Sequence, residues 1–159
     1  MNAATDLTVT STSDETTDQL GRRMSSALVA GDLVTLSGPL GVGKSHLSRA
    51  IIRAMLCDPL AQVPSPSYTL VNVYQAGKLE IWHADLYRLG DASELTEIGL
   101  EDAVDHALVL IEWPERWANL PTRRLDLTLT FEPNDARSIK ARTHGGGWDE
   151  VLHVLRASA

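Results

Sequence analysis

Gly38-Pro39-Leu40-Gly41-Val42-Gly43-Lys44-Ser45 fits the pattern G-x-x-x-x-G-K-[ST]. Each position in it has a physical job. The glycines let the backbone turn tightly and point several N–H groups at phosphate oxygens. A helix beginning near Lys44 adds the positive end of its dipole. Lys44 brings a point charge to the β- and γ-phosphates, and Ser45 brings a hydroxyl to Mg²⁺. The loop therefore reads as a P-loop, with Gly38, Pro39, Leu40, Gly41, Val42, Gly43, Lys44 and Ser45 as candidate nucleotide-binding residues.

The flanking segments suit that reading. Leu33 to Leu36 is a short apolar run, as in a buried strand, and it feeds the loop. Lys44 to Leu56 follows with Leu47, Ile51 and Met55 at helical spacing. Upstream, Leu20, Met24 and Leu28 recur every four residues, with Thr12 and Glu15 at capping-box spacing and Gly31-Asp32 as the stop. Residues 1–12 read as a frayed end or a short edge strand. Downstream, Tyr68–Tyr74 and Leu79–Asp85 flank a turn at Gly77, a hairpin signal. Asp91 can cap a helix holding Leu95 and Ile98. Ala107–Ile111 is continuously apolar, as in a central strand covered on both faces. A short helix from Pro114 to Trp117, strands at Leu125–Phe131 and Arg137–Arg142, and a helix at Trp148–Leu155 complete the pattern. Interleaved strands and helices with at least one hairpin predict an α/β P-loop NTPase fold with a central mixed β-sheet flanked by helices.

At 159 residues the chain is one domain, 1–159, large enough to bury roughly 70% of its unfolded surface without disulfides or a structural metal. Its single cysteine, Cys57, excludes an internal disulfide and is read as an inert, part-buried thiol. Fourteen basic against 21 acidic residues leave a net charge of −7, which argues against the chain gripping nucleic acid by itself. No secretory signal is visible, and the longest aliphatic run, Ala107–Ile111, is far short of a bilayer span of ~20 residues. The cytoplasm is the expected compartment, with no membrane contact.

A P-loop needs acids to complete its metal site. Asp85 ends one strand and Glu112 follows the most apolar one. In open α/β sheets, ligands bind beyond the carboxyl ends of the strands, so both are candidates.

With these residues in place the sequence resembles the TsaE (YjeE) family of small bacterial P-loop ATPases. The resemblance runs from about Thr16 to Phe131. Besides the loop, it rests on Gly31-Asp32, Ser65-Pro66-Ser67-Tyr68-Thr69-Leu70-Val71-Asn72, His83-Ala84-Asp85-Leu86-Tyr87-Arg88-Leu89, Ile98-Gly99-Leu100 and Ile111-Glu112-Trp113-Pro114. It implies an ATP- and Mg²⁺-dependent ATPase in the synthesis of N6-threonylcarbamoyladenosine on tRNA. Such a protein docks on a TsaB–TsaD complex and meets tRNA through those partners. By the same resemblance Lys44 holds phosphates, Ser45 and Glu112 hold Mg²⁺, and Asp85 is the Walker-B-like acid. Ser67 belongs to a switch loop near the γ-phosphate, and Arg137 approaches the base. The chain departs from the family's usual residues at Pro39, His46, Ser67, Val73 and Ala84. Ser67 keeps the hydroxyl of the usual threonine.

Other residues have plainer readings. His83 is read as a structural histidine beside Asp85, with proton shuttling as the alternative. His46 is a helix-face filler, and Trp82 a core residue. Trp113 and Trp117 fit core and partner surface equally. Arg116, Arg123 and Arg124 suit solvated charges, an arginine finger or a kinase-like lid. A small-molecule P-loop kinase and a non-catalytic nucleotide sensor remain alternatives to the ATPase. A GTPase is disfavoured, because N-K-x-D is absent and the sole D-x-x-G, Asp18–Gly21, precedes the loop. So is an ABC-type ATPase, for lack of an LSGGQ-like signature.

Overall fold

A computed structural model describes residues 4–158. Its centre is a seven-stranded sheet: β1 (Asp6–Ser11), β2 (Leu33–Ser37), β3 (Val71–Ala76), β4 (Leu79–Asp85), β5 (Leu108–Glu112), β6 (Arg124–Phe131) and β7 (Arg137–His144). The spatial order is β1-β7-β6-β2-β5-β4-β3. β6, β2, β5 and β4 run parallel, while β3, β7 and β1 join antiparallel at the two edges. The mixed sheet expected from the sequence is thus observed. The first strand is an ordered edge strand on β7 from Asp6 onward; residues 1–3 lie outside the described range.

Helices α1 (Asp14–Ser25), α2 (Lys44–Met55) and α5 (Asp149–Arg156) cover one face, packing Leu20, Met24, Leu47, Ile51, Val151 and Leu155 on Val34, Leu36, Leu110 and Leu127. The short helices α3 (Ser93–Ile98) and α4 (Leu100–Ala103), with a 3₁₀ turn at Pro114–Arg116, cover the other face over β2, β5 and β4. β5 has both faces covered, and all five of its residues are buried. This is the packing its unbroken apolar run predicts. β6 is covered on one face, so its residues alternate between Leu125, Leu127 and Leu129 inward and polar residues outward.

Four local readings are revised. The cap of α1 is Ser13 paired with Thr16, not Thr12 with Glu15: Ser13 Oγ accepts from Thr16 N, and Thr16 Oγ1 accepts from Ser13 N. The helix ends at Ser25, yet Leu28 is still buried beyond it. Tyr68–Leu70 is a turn instead of strand, because Leu70 adopts φ 66° and its N–H bonds Pro66 O at 2.8 Å. Cys57 is exposed, not part-buried. It is the left-handed residue (φ 53°) of a Schellman ending of α2, with Cys57 N to Ala54 O and Asp58 N to Arg53 O both at 3.1 Å.

The helices α1 and α2 cross closely at Gly21. A Cβ there would lie 2.5 Å from Ala50 Cβ and 2.9 Å from Ala50 C. In a loosely packed helix Gly→Ala would stabilise by about 1 kcal/mol. Here overpacking reverses the sign, so Gly21→Ala is expected to destabilise by ~1–3 kcal/mol in denaturant titration. A stabilised variant would contradict the crossing.

Candidate functional site

The site is assembled by strand register. Asp85 pairs with Glu112 across β4 and β5, and Glu112 with Leu36 across β5 and β2. Three parallel strands therefore end level, and the glycine loop begins two residues beyond Leu36. Gly38, Gly41 and Gly43 have φ of 147°, 78° and 115°. Gly38 is also sterically required, since a Cβ would sit 2.5 Å from Leu129 O. Gly43 precedes α2 with no side-chain cap. The first N–H groups of the helix thus lack side-chain partners, the arrangement that receives anions.

Lys44 is buried. Its Nζ donates to Gly38 O (2.6 Å) and Pro39 O (3.0 Å), and it lies 4.1 Å from the centre of the Trp113 ring. Burial lowers its pKa, and the carboxylates of Glu112, Glu115 and Asp85 pull it back up. Ser45 Oγ donates to Glu112 Oε1 at 2.7 Å, and Glu112 is itself buried. Asp85 is buried too. It accepts from Tyr87 N at 3.0 Å and stands 3.5 Å from Ser67 Oγ. A cavity of about 240 Å³ is lined by Lys44, Ser45, Ser67, Asp85, Glu112 and Trp113. The expected acids, hydroxyls and lysine thus share one cavity.

Arg137 lies apart from these, on the other flank of the loop. Its Nε donates to Val42 O at 3.0 Å, and its guanidinium stacks on Phe131 at 4.7 Å. It borders a second cleft of about 460 Å³ with Ser11, Ser13, Gly41, Gly43 and His46. The two clefts straddle the glycine loop.

The secondary readings resolve as follows. His46 bonds Asp18 of α1 at 2.8 Å. His83 is structural in placement, but its hydrogen-bond partner is Glu112 (2.6 Å), not Asp85. Trp117 is core, whereas Trp113 is half-buried in the cavity wall with φ 59°, beside Tyr87. Arg123 is tied to Asp32 at 2.9 Å and Arg124 to Asp126 at 3.0 Å, which spends both in holding the fold. Sequence reasoning missed the Trp113–Lys44 contact. The dipeptide Glu112-Trp113 hinted at it, but the left-handed turn that swings the ring over the lysine has no local sequence signal.

Burial raises the pKa of Asp85, reinforced by the Glu112 charge and opposed by the Tyr87 N–H, His83 and Ser67. A carboxyl with a raised folded pKa binds more protons folded than unfolded, so its stability contribution falls as pH rises above the ordinary carboxylate range. Asp85→Asn keeps an acceptor for Tyr87 N and removes the buried charge. Its melting temperature is therefore expected to exceed that of the parent at pH 7, the gain fading toward pH 4. A pH-independent difference would contradict the assignment of the cost to ionised Asp85.

Comparison with known proteins bears on this arrangement. A family model described as threonylcarbamoyl adenosine biosynthesis protein TsaE matches residues 11–139. The tRNA threonylcarbamoyladenosine biosynthesis protein TsaE of Rickettsia bellii is 36% identical over 126 residues, covering 79% of this chain and 87% of that one. The protein of the same name from Mycobacterium tuberculosis is 38% identical over 125 residues, covering 72% and 73%. The Rickettsia conorii protein of that name is 39% identical over 103 residues, or 65% of this chain, and the match spans 58% of its own length. The crystal structure of Bacillus subtilis YdiB superposes over the whole of both chains with a TM-score of 0.80 at 21% identity, a likeness of fold. With the matched region running from the end of β1 through the glycine loop and both acids into β7, the chain belongs to the TsaE family.

Proposed function

We propose that this chain binds ATP with Mg²⁺ and hydrolyses it in the service of N6-threonylcarbamoyladenosine synthesis on tRNA, acting on a TsaB–TsaD-type complex. The observation that carries the reading is the 2.7 Å contact between Ser45 Oγ and Glu112 Oε1 beside Lys44, at the level ends of parallel strands. A hydroxyl and a carboxylate in contact are two oxygen donors of the kind Mg²⁺ takes, and they would hold it. Among the described residues no group of three or more His, Cys, Asp or Glu could hold a metal alone. That fits a cation that arrives with a nucleotide, whose phosphates supply further oxygens. Bound Mg²⁺ would neutralise charge developing on the phosphates.

The chain's own groups then divide the work. The glycine-loop N–H groups and Lys44 would bind and orient the phosphates. Ser45 and Glu112 would hold the cation. The Ser45 hydroxyl donates to Glu112, which would orient it toward the cation. Asp85, with Ser67 beside it, faces the same cavity and would serve the cation through water as the Walker-B-like acid. Arg137, across the loop, would lie along the base.

One observation favours a partner-activated ATPase over a small-molecule kinase. Arg123 and Arg124 are committed to Asp32 and Asp126, so neither is placed as a finger or a lid. The net charge of −7 argues against the chain gripping tRNA by itself. Among the described residues no helix is long and apolar enough to cross a membrane.

Lys44→Ala is expected to lower ATP turnover by ~10²-fold or more. Near-normal turnover in a folded variant would refute the phosphate role. Glu112→Gln should shift the Mg²⁺ dependence of turnover to higher concentration more than Asp85→Asn does, and superimposable titrations would overturn that division. The isolated chain should turn ATP over slowly and accelerate markedly with TsaB–TsaD, since groups supplied in trans can raise P-loop hydrolysis by ~10³-fold or more. Phosphoryl transfer to a small hydroxylated metabolite without any protein partner would identify a kinase instead.

A further inference from the structure

His83 sits in β4, two residues before Asp85, on the same face as Ile81 and therefore toward α2. It is 1% exposed. Its Nε2 lies 2.6 Å from Glu112 Oε2, while its Nδ1 is buried with no hydrogen-bond partner. A carboxylate oxygen accepts, so Nε2 must carry the proton. Nδ1 is then a bare lone pair, whereas a proton on it would create a second buried donor without an acceptor.

This is a costly way to fill space. A buried, unmet nitrogen costs on the order of 1–3 kcal/mol, and an apolar side chain of similar size would leave none. What the imidazole provides is one N–H aimed at one oxygen of Glu112. The other oxygen is held by Ser45 at 2.7 Å. With each oxygen tethered by a different partner, the carboxylate is held in one orientation, and Oε1 stays beside the Ser45 hydroxyl.

We infer that His83 is a positioning residue that fixes the Glu112 carboxylate and thereby sets the affinity of the site for its divalent cation. It acts through Glu112 and touches neither phosphate nor metal. The inference rests on the proposed roles of Ser45 and Glu112 as metal ligands. Outer partners that orient a metal ligand commonly change metal affinity by ~10–100-fold when removed.

The test separates metal binding from nucleotide binding and from folding. Mn²⁺ binding to the complex with a non-hydrolysable ATP analogue is titrated by electron paramagnetic resonance, and analogue binding is measured separately in EDTA by calorimetry. His83→Leu is expected to weaken Mn²⁺ binding by ~10–100-fold while leaving analogue affinity in EDTA at the parental value. His83→Gln, whose amide N–H can take the place of Nε2–H, should recover most of the Mn²⁺ affinity. His83→Asn, one bond shorter, should not. The Gln and Asn pair keeps the test decisive if the leucine variant fails to fold. Parental Mn²⁺ affinity in His83→Leu, or equal affinities in the Gln and Asn variants, would overturn the inference alone. A parent chain that binds the analogue but no Mn²⁺ would overturn the metal reading and this inference with it.

Discussion

The parallel ladder of β2, β5 and β4 is the constraint from which the rest of the site follows. Parallel strands cannot be joined by tight turns, so each must be reached by a crossover, which brings their carboxyl ends to one edge of the sheet. Here the ladder stops with Leu36, Glu112 and Asp85 side by side. Polar backbone and two carboxylates are thus delivered to one edge of an otherwise dry core. The core supplies the rigidity: Val34, Leu36, Leu108, Leu110 and Ile111 are essentially inaccessible. A glycine loop and a helix N-terminus anchored on such a floor do not drift, which is what an electrostatic site needs.

The buried acids of the site share one buried cation. Glu112 and Asp85 lie beside Lys44, which is held by the loop's own carbonyls and the face of Trp113. Elsewhere, Asp32 meets Arg123, whose guanidinium also stacks on Trp148 at 4.3 Å. Asp126 gathers Thr35, Arg124 and His144 on the sheet face that the helices leave open. These pairs use up cations that a reading by charge alone would leave free. The acids from Asp91 to Asp105 are mostly exposed and have no comparable partners in sequence, where no Lys or Arg occurs.

Two features of the glycine loop illustrate how local chemistry and packing combine. Gly41 has open space around it and is needed for its backbone angle alone. Gly38 is needed for space as well, since the Leu129 carbonyl presses on it from β6. The loop is therefore shaped from outside by a strand nearly a hundred residues away, and Arg137 clamps its far side through Val42.

The eight-residue motif, the apolar run before it and the helical spacing after it made the P-loop fold legible, because glycine geometry and hydrophobic period are local properties. The unbroken apolar run at 107–111 marked the central strand for the same reason. Asp85 and Glu112 were recognisable as strand-end acids, but the pairing of Glu112 with Ser45 came from the family resemblance and not from the residues' own pattern. That pairing depends on the register between β2, β5 and β4, and register is a long-range property of the packed sheet. The turn at Tyr68–Leu70 and the exposed Cys57 were misread because left-handed residues other than glycine carry no local signature, and surrounding contacts impose them. The partner of His83 was likewise invisible. It lies 29 positions along the chain, and two adjacent strands bring it within 2.6 Å.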